Sequence, residues 1–190
     1  LPVSFLRMSN AAEHLGPFLV DFEAACLDGI PGREGLLKER AFAQKAAELV
    51  GVADAVTEQI PEKLGATTEV LSGYWEVNTP VFDKSAFSAF EAEGLQRWIE
   101  GKQIDHLLLA GIETSICVYQ TALQALGADI GVTLLSDCIS ERRLEDRAPV
   151  LEQLLSMDAH ILPSETIFYS LLGSAEHPKF REFNELVKES

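Results

Sequence analysis

Three residues of different chemistry stand out along the chain: Asp21 in "FLVDFE", Lys84 in "VFDKSAF" and Cys117 in "AGIETSICV". Each follows a short apolar run, and each is a type used in acyl transfer. A cysteine thiol is mostly protonated near neutral pH, so a nucleophilic Cys117 needs its negative charge stabilised. Three devices offer this: the N–H groups of the helix beginning at "TSIC", the cation of Lys84, and Asp21 as the group that takes the thiol proton and returns it to a leaving group. The turn from Gly111 to Cys117 also presents backbone N–H groups to an oxyanion. The chemistry that fits is attack on a carbonyl carbon, with an amide, ureido or ester substrate passing through a thioester. Taken singly, each residue has an ordinary structural reading as well: Cys117 as a small buried hydrophobe, Asp21 as a helix cap, Lys84 as solvated surface. Cys26 and Cys138 are given only the structural reading.

Groups so far apart in sequence meet only if separate strands deliver them to one edge of a sheet. The run "PFLVD" reads as a buried parallel strand with Asp21 at its tip. Behind it, "GREGLLKERAFAQKAAELV" places Leu36, Leu37, Ala41, Ala46 and Leu49 at helical spacing and reads as a crossover helix. A second strand runs to about Thr57, with Pro61 and Gly65 marking the loop after it. A third ends at Asp83 or Lys84. The helix "GLQRWIEGK" precedes the apolar strand "HLLLAGI", and the helix "TSICVYQTALQALG" is expected to close at Gly127. Then follow "IGVTLLSD" as strand, "RLEDRAPVLEQLLSMD" as helix, "AHILPS" as strand and "HPKFREFNELVKE" as a terminal helix. Alternation of about six such pairs predicts a mainly parallel sheet covered on both faces, with Asp21, Lys84 and Cys117 all at strand C-terminal ends.

The chain has 190 residues, 47% hydrophobic and 24% charged, which suits one compact domain over 1–190 with a short N-terminal extension at about 1–14. No run reaches the roughly 18–20 apolar residues of a membrane span, and the N-terminus lacks a basic region followed by a long apolar core, so a cytoplasmic location is expected. With 15 Lys and Arg against 30 Asp and Glu, the formal charge of −15 repels phosphate backbones and anionic headgroups. Nucleic acid and membranes are therefore not expected partners. The three cysteines form no CxxC pair, and the four histidines are scattered, with no HxH or HExxH spacing. Neither a disulfide framework nor a metal site is implied, and no cofactor is expected.

The same three residues, with "VTEQIPEKLG", "KSAFSAF", "SDCISER" and "HPKFREFNELVKE", resemble the isochorismatase-like cysteine hydrolases over nearly the whole chain, and most closely the isochorismatase domain-containing branch. The resemblance implies an α/β fold, doubly wound, with a six-stranded mainly parallel sheet and helices on both faces. It implies Asp21 as general base, Lys84 as the residue that stabilises the thiolate and Cys117 as nucleophile. It further implies a cis peptide between Ile112 and Glu113, an oxyanion hole from the backbone N–H groups of Glu113 and Cys117, and frequent homo-oligomers, here a dimer or tetramer. Two departures matter. Metal-dependent members carry an aspartate and two histidines after the second strand, where this chain reads "TEQIPEKLG", so Gln59 faces the pocket in place of a ligand. Glu23 stands where many relatives have glutamine.

The reading that results is a metal-independent hydrolase of a small amide-like or carbamoyl-like C–N bond, its pocket walled by Phe22 and Phe87, the aromatics flanking Asp21 and Lys84. Two alternatives stand beside it: a non-catalytic oligomeric module, with Tyr74, Trp75 and the 65–80 loop covering the site or forming an interface, and a hydrolase of isochorismate-type vinyl ethers that does not need the thiol. The segment "ETIFYSLLG", with Ile167, Phe168, Leu171 and Leu172 at helical spacing, is either an oligomer surface or core.

Overall fold

A computed structural model describes residues 11–75 and 78–189. Most of the expected N-terminal extension lies outside the described residues. Within them, Ala11–His14 form a single 3₁₀ turn leading into the first strand, and the main-chain oxygen of His14 accepts the N–H of Asp105 at 3.1 Å.

The sheet has six strands, β1 (Leu15–Val20), β2 (Ala55–Gln59), β3 (Val81–Lys84), β4 (His106–Ile112), β5 (Gly131–Ser140) and β6 (His160–Leu162). All pair in parallel, in the order β3-β2-β1-β4-β5-β6. Burial follows that order. Every residue of the central β2 and β4 is buried, whereas the edge strands β3 and β6 are partly open. Continuous apolar runs such as "HLLLAGI" belong in the interior of a parallel sheet because both of its faces are covered.

The helices are α1 (Ala24–Leu27), α2 (Arg33–Val50), α3 (Pro61–Leu64), α4 (Glu69–Ser72), α5 (Leu95–Gly101), α6 (Tyr119–Gly127), α7 (Arg147–Leu155), α8 (Ser164–Leu172) and α9 (Phe180–Glu189). Side chains of β4 alternate between the two layers, as the pleat requires. Leu107 and Leu109 pack with Leu95 and Ile99 of α5, Ala122 and Ala125 of α6 and Leu154 of α7. Leu108 and Ala110 pack on the other face with Phe42 and Ala46 of α2, Ile167 and Phe168 of α8 and Phe183 of α9. The apolar stripe of "ETIFYSLLG" is thus core: Ile167, Phe168 and Leu172 are buried, and Phe168 meets Phe42 edge-on at 6.5 Å.

Some boundaries differ from the sequence reading, two of them beside the tip of β4. The turn after β4 is not the first turn of an α-helix: Thr114–Val118 form a π-type turn, and α6 begins only at Tyr119. The far end of α6 falls at Gly127 as expected, with the positive φ of 59° taken two residues later by Asp129. Aspartate tolerates that region better than most side chains. Lastly, β5 runs on to Ser140, because its pairing with β4 shifts register between Leu109 and Gly111. That irregularity carries the end of β5 and the following Glu141 and Arg142 alongside the tip of β4.

Candidate active site

The chain lays down β1, β2 and β3 in one direction and then crosses back to place β4 on the other side of β1. The tips of β1 and β4 therefore diverge in connectivity, and such a switch point leaves a crevice at the strand C-terminal ends. A cavity of about 450 Å³ lies there, lined by Asp21, Ala25, Cys26, Gly29, Gln59, Phe87, Ile112, Glu113, Ile116, Cys117 and Arg142.

At its base three strand tips meet. Lys84 Nζ donates to Asp21 Oδ2 at 2.7 Å, to Gln59 Oε1 and to the main-chain oxygen of Ala86 at 3.2 Å. Thr57 Oγ1 donates to the other Asp21 oxygen at 3.3 Å. Cys117 and Asp21 line the same cavity, and the two groups act on each other's ionisation. Asp21 adopts a positive φ of 57°, an uncommon conformation for a residue with a side chain. The peptide between Ile112 and Glu113 is cis. Cys117 is 8% exposed, so it meets the cavity only with its tip.

The electrostatics run against one part of the sequence argument. Burial pushes the Cys117 thiol up, the Asp21 charge pushes it further, and Lys84 only partly opposes them. Lys84 is already paired with Asp21, and a thiolate would add an uncompensated charge to a dry cluster. The resting group is a thiol beside a carboxylate, not a preformed thiolate. Asp21 itself is held above its usual range, because burial outweighs the contact with Lys84.

Of the expected pocket residues, Gln59 and Phe87 line the cavity, and Phe87 is 53% exposed at its mouth. Gln59 also grips the base, since its Nε2 donates to the main-chain oxygen of Ser85 at 2.8 Å while its Oε1 accepts from Lys84. Phe22 does not belong to the wall: it is fully buried with Leu27, Ile30, Leu36, Val56, Leu71 and Ile112. Adjacent residues leaving a strand tip point to opposite sides, so when Asp21 faces the cavity its neighbour turns into the core. Trp75 packs against the same apolar group and Tyr74 lies beside Lys45, so neither covers the site. Part of the 65–80 loop, Glu76 and Val77, lies outside the described residues.

Sequence reasoning missed two wall elements. Cys26 projects from α1, and Arg142 lies at the mouth, its Nε donating to the Glu113 carboxylate. The stem of Arg142 passes Gly29 so closely that a Cβ there would meet its Cδ at 3.0 Å. The signal for Arg142 was the fragment "SDCISER", whose position relative to β4 depends on the register shift. Glu23, whose direction the sequence left open, points inward: it is 0% exposed and accepts the backbone N–H of Gln59. Among the described residues no group of histidine, cysteine and carboxylate side chains is arranged to hold a metal ion.

Comparison with known proteins agrees with this architecture. The model of the isochorismatase domain matches residues 66–166. Isochorismatase domain-containing protein 2A of Mus musculus is 33% identical over 173 residues, which cover 90% of this chain and 82% of that protein. The solved structure of the MAR1 ribonuclease from Caenorhabditis elegans superposes with a TM-score of 0.86 at 28% identity, covering 93% of this chain and 91% of that one. The Escherichia coli YcaC gene product, described as an octameric hydrolase of unknown specificity, shares the fold with a TM-score of 0.82 at 14% identity, covering 94% of each chain.

Proposed function

Since the chain belongs to the isochorismatase-like hydrolase family, we propose that it is a metal-independent cysteine hydrolase of a small amide-like or carbamoyl-like C–N bond, with residues 1–190 forming one domain. The observation that carries this reading is the meeting of a carboxylate, its paired cation and a thiol at the base of one cavity. Asp21 accepts the Cys117 proton as Sγ bonds to the substrate carbonyl carbon, and the carbonyl electrons move to oxygen. The backbone N–H groups of Glu113 and Cys117 hold that oxyanion. Its collapse breaks the C–N bond while Asp21 returns the proton to the departing nitrogen, leaving a thioester. Water, deprotonated by Asp21, then attacks the thioester, and the thiol leaves with the proton restored. Lys84 orients Asp21 and offsets its charge; Gln59 and Phe87 border the substrate.

A raised thiol value supports a proton transfer concerted with attack, because a nearby base serves best when the nucleophile is protonated at rest. The cavity of about 450 Å³ suits a small molecule. The C. elegans relative is described as a ribonuclease, so RNA is a rival substrate; the charge of −15 weighs against it here. We also assign the protein to the cytosol, on its three free thiols, and expect it to self-associate.

The test is ammonia release from a panel of small primary amides and ureido compounds, beside single-stranded RNA and isochorismate. Cys117→Ala and Asp21→Asn are expected to lower kcat/KM for the best amide by at least about 10³-fold with the fold intact. Amide turnover that survives Cys117→Ala, or turnover of RNA or isochorismate alone, overturns the reading. A folded protein that turns over nothing leaves the binding module as its successor.

A further inference from the structure

Glu23 is the buried acid for which the reaction above has no use. It lies two residues past Asp21 and is 0% exposed. One of its oxygens accepts the Gln59 backbone N–H, and the other, Oε2, has no hydrogen-bond partner. Its main chain is bridged to Thr67. An ionised carboxylate accepts hydrogen bonds only, and in a dry place it is costly unless a cation or several donors meet it.

The groups that face Glu23 do not meet that need. Asp21 from the tip of β1 is itself negative, and the Cys26 thiol from α1 is a weak donor. Glu58 of β2 accepts the Thr67 N–H at 2.7 Å, and the charge of Glu113 acts on Cys26. The cation among them is Lys84, whose three ammonium protons already go to Asp21, Gln59 and Ala86. None is left for Glu23. Burial, and next the Asp21 charge, accordingly hold the Glu23 carboxyl up at about 7.

We propose that Glu23 works as a neutral carboxylic acid that fixes the tip of β2 through Gln59, and that its ionisation pulls Lys84 away from Asp21 and switches the site off. Glu23 is thus a positioning residue. It reaches the reacting atoms through the Gln59 backbone, the Gln59 side chain and Lys84. Once it is ionised, two carboxylates share one ammonium, and Asp21 loses the contact that orients it. The sign follows. Turnover falls as pH rises through about 7. Because the carboxyl is raised from an ordinary 4.5, the stability present below that value is lost as pH rises toward about 7. The switched reaction rests on the function proposed above; the protonation of Glu23 does not.

Infrared spectroscopy of the protein labelled with ¹³C-glutamate tests the protonation directly. A buried, protonated glutamate C=O band is expected at about pH 6, disappearing as pH rises through about 7, and missing from Glu23→Gln. Its absence from the wild type at about pH 6 overturns the proposal, and the wild type alone decides this if the variant does not fold. The pH profile of kcat/KM for the best amide supplies the second reading. The wild type is expected to lose about tenfold per pH unit above about 7, and Glu23→Gln to lose that limb. The rate of Cys117 alkylation by iodoacetamide, followed by peptide mass, should carry the same inflection in the wild type and lack it in the variant. A titrating band with identical profiles in both proteins overturns the switch. A titrating band and an alkylation inflection without any amide turnover defeat the proposed reaction and leave the switch standing.

Discussion

Lys84 has three protons and three acceptors, and one of them is a carboxylate buried almost as deeply as itself. Lys84→Met leaves Asp21 with Thr57 and Cys117 as its remaining hydrogen-bonding side chains. Removing one partner of a buried pair costs about 3–5 kcal/mol, which urea unfolding will measure. In the proposed mechanism Asp21 sets the acid side of the pH profile. Its carboxyl is raised above 3.8 by burial, so the base is lost to protonation as pH falls through that raised value. The acid limb of kcat/KM is expected above the ordinary aspartate value, and further up in Lys84→Gln, which removes the largest opposing influence. A limb at or below the ordinary value, or one that moves down in the variant, contradicts the geometry. Cys117, its neighbour, is where sequence reasoning went astray. The residue was found, and Lys84 and the Glu113 N–H do act to lower its thiol, but burial and the Asp21 charge outweigh both, and the helical segment that holds it begins as a π-type turn.

At the scale of elements, the site depends on how closely β4 approaches β1. Gly111 pairs with Val20, and a Cβ there would lie 2.6 Å from the Val20 main-chain oxygen and 3.1 Å from Val118 Cγ2. Neither the strand backbone nor the π-type turn has room to give. Gly111→Ala is expected to destabilise by about 1–3 kcal/mol and to depress turnover further, because it pushes apart the tips that hold Asp21 and Cys117. Gly35 in α2 is the control: nothing lies within 4 Å of its Cβ position, so Gly35→Ala should stabilise by about 0.4–1 kcal/mol with turnover unchanged. Paired thermal melts and kcat/KM values check both, and equal behaviour of the two variants would refute the steric argument. Strand and helix existence was legible from periodicity. The register shift at Leu109 and Gly111 was not, because an irregularity in pairing leaves no period in either strand.

At the scale of the molecule, the charge of −15 is spread over a chain whose two internal faces are filled, including the α8 stripe that sequence alone left as a candidate interface. The expected self-association would therefore use other surface, and exposed Val70, Leu144, Leu155 and Met157 are apolar side chains free of the core. Light scattering is expected to give a mass above that of one chain, increasing with salt as like charges are screened. A monomer at all ionic strengths removes the expected oligomer. No described helix is long and apolar enough to cross a membrane.

By itself the sequence determined the alternation of elements, the parallel sheet and the three strand-tip residues. Apolar runs, helical spacing and chemical type are properties of short segments, and the rule that sites gather at strand C-terminal ends joined them. The tertiary structure alone decided what depends on neighbours distant in the chain. Phe22 turns into the core while Asp21 faces the cavity, Arg142 and Cys26 complete the wall, and Glu23 points inward without a cation. Burial and the count of donors around a charge set the protonation of Asp21, Glu23 and Cys117, and both quantities exist only once β1, β2, β3 and β4 stand side by side.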